Sequence, residues 1–238
     1  STSRMVGDTA LGSLAVRIER NRVLVAEFVG TMFLLIGVVG SGIMAERLSP
    51  NDVGLQLLQN AAATAAVLVA IISIFGTISA DFNPAVTVGA WLLGHRPGRE
   101  AVLLVVTQVA GACGGTGIAN LMFDLRWAEF SHKTRSGGHL WLAEVVATVG
   151  LLLVVFSLLR TGRRAQIPWV VGAYIGGAYY FTSSTSFANP AVTIARSLSD
   201  TFAGIEPSSA PMFIVMQIVG TGAAVARLRF LFPVDSEG

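Results

Sequence analysis

The sequence predicts an all-α membrane protein: six transmembrane helices, two half-helices meeting at the midplane, and an inverted three-plus-three repeat. Three observations predict it. Of the 238 residues, 53% are hydrophobic and only 13% charged, against roughly a quarter charged in an ordinary soluble domain. The apolar runs are long and unbroken, whereas a membrane barrel would alternate over stretches of about ten residues. Several motifs of the first half also return, in the same order, in the second.

A membrane helix needs roughly 20 mostly apolar residues, and backbone polar groups inside lipid must be paired within the helix. Hydropathy gives spans at Val23–Met44, Val53–Phe75, Glu100–Met122, Leu140–Leu159, Ile167–Phe181 and Pro211–Ala226, the last two short for a full crossing. Pro84–Leu93 and Pro190–Leu198 are helical in pattern but too short to span, so they are half-helices. Each follows an Asn, a favoured cap, and begins with proline, which sacrifices no hydrogen bond at the first helical position. Leu11, Leu14 and Ile18 have helical apolar spacing and are expected to lie on the membrane surface. The chain thus divides into an N-terminal segment 1–22, a first repeat 23–122, an extracellular connection 123–139, a second repeat 140–226 and a tail 227–238.

Basic loops resist translocation, so Lys and Arg mark the cytoplasmic side. The side holding the termini carries 11 of the 16 basic residues and the other side five: Arg47, Arg126, Lys133, Arg135 and Arg196. Both termini are therefore expected in the cytoplasm, as an even number of spans also requires. The net charge is +2 and the basic residues are scattered, a pattern that cannot follow a phosphate backbone, so nucleic acid is not expected as a partner. The single cysteine, Cys113, allows no disulfide within the chain and reads as a small buried hydrophobe. His95, His132 and His139 fall in loops without the spacing of a metal site or a nucleophile and base. No cofactor, no metal and no enzymatic activity are expected.

The repeat carries the functional information. Ala26-Glu27-Phe28-Val29-Gly30-Thr31 returns as Ala143-Glu144-Val145-Val146-Ala147-Thr148. Asn83-Pro84-Ala85-Val86-Thr87 returns as Asn189-Pro190-Ala191-Val192-Thr193, and Gln108 with Gly111 is echoed by Gln217 with Gly220. With three spans per half, the second copy enters the membrane from the opposite side, and such folds put the conducting site at the repeat interface. Each half-helix start carries roughly half a positive charge, so two facing starts repel cations and protons while neutral solutes escape that penalty.

These ordered motifs resemble the major intrinsic protein family, the aquaporins and aquaglyceroporins, over Ala26 to about Ala226. The resemblance implies a passive channel in which the Asn83 and Asn189 amides donate to the oxygen of a passing solute. It implies homotetramers with one pore per subunit, and no cofactor. Glu27 and Glu144 lie inside apolar spans, where a carboxylate is expensive. The resemblance implies that they accept hydrogen bonds from the backbone leading into the half-helices. The alternative is a proton-coupled secondary transporter using both as relays, since those folds also show inverted repeats and broken helices.

In the resembling family an arginine usually follows the second Asn-Pro-Ala, and here that position is Val192. Carrying the other filter positions over by spacing gives Ser186, Gly177 and Thr64. That quartet lacks both the cation and the aromatic ring, which predicts a widened filter passing neutral solutes larger than water. Val192 resembles the bacterial branch associated with arsenic-resistance operons. This implies a multi-pass protein of the bacterial inner membrane conducting arsenite or related metalloid acids as well as glycerol and water; a glycerol and water facilitator with no metalloid role is the second reading. Arg196 follows Val192 by four residues, on the same face one turn outward. It either places positive charge in the outer vestibule or pairs with Asp200, four residues further on. Asp81, where His is common in the family, either biases the cytoplasmic approach against anions or caps its loop. The polar connection Phe123 to His139 is a candidate cover for the outer vestibule. Nine glycines, among them Gly111, Gly114, Gly220 and Gly222, fit close helix crossings.

Overall fold

The computed structural model describes residues 2–233, with side chains from Ala15 onward. Helix α1 (Thr2–Leu48) carries the first span and α2 (Val53–Phe75) the second; α3 (Pro84–Leu92) is the first half-helix. The remaining elements are α4 (Gly98–Met122), α5 (Gly138–Arg160), α6 (Ile167–Phe181), the half-helix α7 (Pro190–Arg196) and α8 (Ala210–Leu231). Five of these are long and apolar enough to cross a membrane. The sixth span, α6, has 15 residues, and a 3-10 turn at Arg164–Gln166 runs directly into it. At about 1.5 Å and 2 Å per residue the two together rise roughly 28 Å, close to the hydrocarbon thickness of about 30 Å.

Two elements are longer than their hydropathy predicts. The stretch expected on the membrane surface is instead the start of α1, continuous with the first span. Leu11 and Leu14 lie outside the described side chains, and Ile18 is half exposed. Helix α8 continues five residues past Ala226, because its last carbonyls find donors: Arg160 Nη1 gives a hydrogen bond to Leu228 O at 2.8 Å and another to Phe232 O. The remaining tail, 234–238, lies outside the described residues.

The two halves pack alike. Helix α1 lies against α4 and α2, and α5 lies against α8 and α6. Each half-helix reaches across: α7 packs on α4 of the first half and α3 on α8 of the second. The crossings are close because glycine sits in them. A Cβ on Gly111 would collide with the Phe28 carbonyl of α1, and one on Gly220 would stand 2.9 Å from the Val145 carbonyl of α5. Phe28 and Val145 follow Glu27 and Glu144, so the same contact is made twice. Gly114 and Gly222, by contrast, have nothing within 4 Å and belong to no such crossing within the subunit. Val102 and Val106 on α4, and Val215 and Val219 on α8, are exposed. These i, i+4 apolar stripes suit a lipid-facing surface. Cys113 is half-buried against the core.

The candidate pore and its mouths

Each half-helix is aimed by a buried glutamate. Glu27, fully buried on α1, accepts from the Asp81 and Phe82 backbone N–H groups at 2.8 Å, from Ser79 Oγ and from Gln108 Nε2 at 2.8 Å. Glu144 on α5 accepts from the Phe187 and Ala188 N–H groups at 2.9 Å and from Gln217 Nε2 at 2.7 Å. Both glutamines continue the chain by donating to the half-helix threonines, Thr87 and Thr193, at 2.9 Å. The residues before the two Asn caps, Phe82 and Ala188, both have φ of 47°. Left-handed backbone costs a non-glycine residue of order 1–2 kcal/mol, and the carboxylates hold it in place. A buried carboxylate is tolerated when its lone pairs are occupied; Glu27 receives four structural donors and Glu144 three.

The two Asn-Pro-Ala turns are tied to each other. Asn83 Nδ2 donates to Ala188 O at 2.8 Å, and Asn189 Nδ2 donates to Phe82 O at 2.9 Å. Their Oδ1 atoms cap the helices, Asn83 accepting from Ala85 N at 2.8 Å and Asn189 from Ala191 N at 3.0 Å. An amide nitrogen carries two hydrogens. One is spent on the opposite loop, and the second is left for the lumen that both residues line.

The lumen has a volume of about 1170 Å³. Thr64, Ser186 and Val192 line it, and Ser186 Oγ is buried without a protein partner. Gly177 does not line it. That glycine is exposed, with only the Phe181 ring within 4 Å. The face of α6 turned to the lumen is Val171, Ile175 and Tyr179, a four-residue period on which position 177 falls on the opposite side. Tyr179 is therefore the α6 side chain at this level of the lumen, 3% exposed, with its hydroxyl 3.2 Å from Thr64 Oγ1. An aromatic ring, absent from the expected quartet, thus lines the lumen. Spacing counted back from Asn189 missed it by two residues, whereas the helical stripe along α6 would have found it.

Topology puts the mouth formed by the 123–139 connection and the segment after α7 opposite the termini; we call it the distal mouth. The connection folds back over that segment: Glu129 N donates to Leu198 O and Ser131 N to Ser197 O, both at 3.0 Å. Arg196 is 2% exposed, lines the lumen and stacks its guanidinium 3.6 Å from the Phe187 ring centroid, with Nε bonded to Ala203 O. It does not pair with Asp200. Helix α7 ends at Arg196, so Asp200 is not on its next turn, and Asp200 bonds His132 Nδ1 at 3.0 Å instead. That contact is reflected in both groups: Asp200 raises the His132 pKa, and hydrogen bonds from His132 lower that of Asp200.

At the proximal mouth Asp81 accepts from Thr87 Oγ1 at 2.8 Å and lies 3.4 Å from Arg96, which also pairs with Glu100. His95 lines this mouth, and burial followed by the charge of Arg160 lowers its pKa. His139, expected in a loop, lies in the first turn of α5. Among the described residues no three His, Cys, Asp or Glu side chains are grouped to hold a metal.

Comparison with known proteins agrees with this architecture. The family model described as major intrinsic protein matches residues 15–183. The chain is 47% identical over 214 residues to the aquaglyceroporin AqpS of Rhizobium meliloti (strain 1021), covering 90% of this chain and 91% of that one. It is 28% identical to the aquaporin AqpM of Methanothermobacter marburgensis, covering 87% and 96%. Among solved structures, the X-ray structure of the aquaglyceroporin from Plasmodium falciparum superposes with a TM-score of 0.67 at 19% identity, over 88% of this chain and 95% of that one, a likeness of fold. The chain belongs to the major intrinsic protein family and is a multi-pass membrane channel rather than an enzyme.

Proposed function

We propose that this chain is a passive channel for small neutral solutes, carrying glycerol and water and also arsenite or related undissociated metalloid acids. It works as a homotetramer in a bacterial inner membrane, with both termini cytoplasmic and the distal mouth outside. The similarity to a protein named aquaglyceroporin supports glycerol and water. The observation that carries the metalloid reading is Val192, which lines the lumen beside the unpartnered Ser186 hydroxyl where the family usually has arginine. A hydroxyl and an aliphatic face lining one lumen suit a compact polyhydroxy solute, whose oxygens need donors while its bulk needs room. Asn83 and Asn189 offer the next donors inward. The four structural donors on the Glu27 carboxylate and the three on Glu144 support a structural role over a relay for coupled protons.

The test is stopped-flow flux of water, glycerol and arsenite in proteoliposomes, comparing the chain with Val192→Arg. Loss of arsenite and glycerol flux with water flux retained is the expected result. Arsenite flux no greater than in empty vesicles would leave a glycerol and water facilitator. Large-solute flux unaltered by Val192→Arg would remove Val192 from the constriction.

A further inference from the structure

Three cations meet at the distal mouth, and none of them is in an ion pair with a described residue. Lys133 Nζ donates to Phe202 O at 2.8 Å, Arg196 Nε to Ala203 O, and Arg135 Nε to Gly204 O at 2.9 Å. Three consecutive carbonyls thus hold one cation each. A neutral carbonyl orients a cation but leaves its charge uncancelled. Both guanidiniums stand on one ring, with Arg196 Cζ 3.6 Å and Arg135 Cζ 5.1 Å from the Phe187 centroid.

The neighbouring carboxylates are engaged elsewhere. Glu46 accepts from Phe202 N, Asp200 from His132, and Glu206 from Thr134. Glu144, whose charge reaches both arginines, has its oxygens taken by Phe187 N, Ala188 N and Gln217. Among the described residues, no carboxylate forms an ion pair with Lys133, Arg135 or Arg196. The three cations also feel one another: partial desolvation, then Arg135 and Arg196, hold the Lys133 pKa down to about 8.

A buried, unpaired charge is among the costliest groups a fold can keep. Arg196 approaches that condition: the residue is 2% exposed and in no ion pair with a described residue, and its two terminal nitrogens, which open on the lumen, have no protein acceptor. A ligand that brings a negative charge to those nitrogens would repair the deficit. We propose that the distal mouth is a binding site for a small monovalent oxyanion, received by the Arg196 guanidinium, with Arg135 and Lys133 adding positive charge around it. The site is separate from the choice of neutral solute deeper in the pore.

Methanesulfonate, a permanent monoanion, and dimethyl sulfone, its neutral near-isostere, make a matched pair of probes. Calorimetric titration of the full chain in detergent at pH 7 is expected to show methanesulfonate binding at least about tenfold more tightly than the sulfone. Arg196→Gln and Arg135→Gln should each lose about tenfold, the scale of one charge-assisted hydrogen bond. Thermal melts establish that each variant is folded; if Arg196→Gln is not, the half-buried Arg135→Gln decides. Equal binding of the two probes, or wild-type affinity in the folded Gln variants, overturns the proposal. Glycerol flux of the same preparations reports separately on the conduction reading, so either can fail without the other.

Discussion

The hydroxyl of Thr64 lies 3.2 Å from that of Tyr179, joining α2 to α6 across the wall of the lumen. Removing the ring enlarges the opening and frees the Thr64 hydroxyl. Tyr179→Ala is expected to raise the flux of four- and five-carbon polyols relative to glycerol by at least about tenfold, the scale at which pocket size discriminates solutes. Stopped-flow swelling with a graded polyol series measures it. An unchanged size cut-off would place the constriction elsewhere.

Deleting a buried carboxylate should cost more than deleting a channel-lining residue. Glu27→Ala strands the Asp81 and Phe82 N–H groups and the Gln108 amide, so a loss of about 3 kcal/mol or more in unfolding free energy is expected. Glu144→Ala should match it, and the isosteric Gln variants should lose less. Flux through the intact channel should not change when an uncoupler is added; collapse on uncoupling would restore the relay role.

The glycines separate into two classes under one substitution. Gly111→Ala and Gly220→Ala push a methyl into a facing backbone and should destabilise by about 1–3 kcal/mol, Gly111 more. Gly114→Ala and Gly222→Ala meet nothing within 4 Å. These should be neutral, or stabilising by up to about 1 kcal/mol from helix propensity. Denaturant titration in detergent distinguishes the pairs.

The His132–Asp200 contact gives a pH signature at the distal mouth. Asp200 raises the His132 pKa, so the contact is complete below the free imidazole value of about 6.5 and is lost as pH rises through the raised one. The Asp200 pKa is lowered, so its share is complete above the free carboxyl value of about 3.9 and is lost as pH falls through the lowered one. NMR titration of His132 should give a pKa above 6.5 that drops back in Asp200→Asn. An unshifted His132 in the intact chain would contradict the pairing.

The sequence stated the repeat, the six spans and both half-helix starts because these rest on local patterns: apolar length, an Asn-Pro cap, a carboxylate in an apolar run. What it did not state depends on loop length or on where a helix stops. Gly177 is separated from Asn189 by an irregular segment whose path no periodicity fixes, so spacing alone does not identify Tyr179 as the α6 side chain that lines the lumen. The possible Arg196–Asp200 pair assumed that α7 continues to Leu198, but it stops at Arg196. The three carbonyls at 202–204 left no trace in composition, because the acceptors are backbone. The N-terminal stretch looked interfacial from its apolar spacing, which equally fits the outer turns of one long helix.

The two reciprocal bonds, Asn83 to the Ala188 carbonyl and Asn189 to the Phe82 carbonyl, act as a rivet at the centre of the molecule. A carrier that exposes its site to one side and then the other must let one half rock on the other. Here such rocking would first shear both bonds and unseat both helix starts, among groups that are all buried. The waist is therefore the rigid part of the machine, and any opening or closing has to be done at its ends.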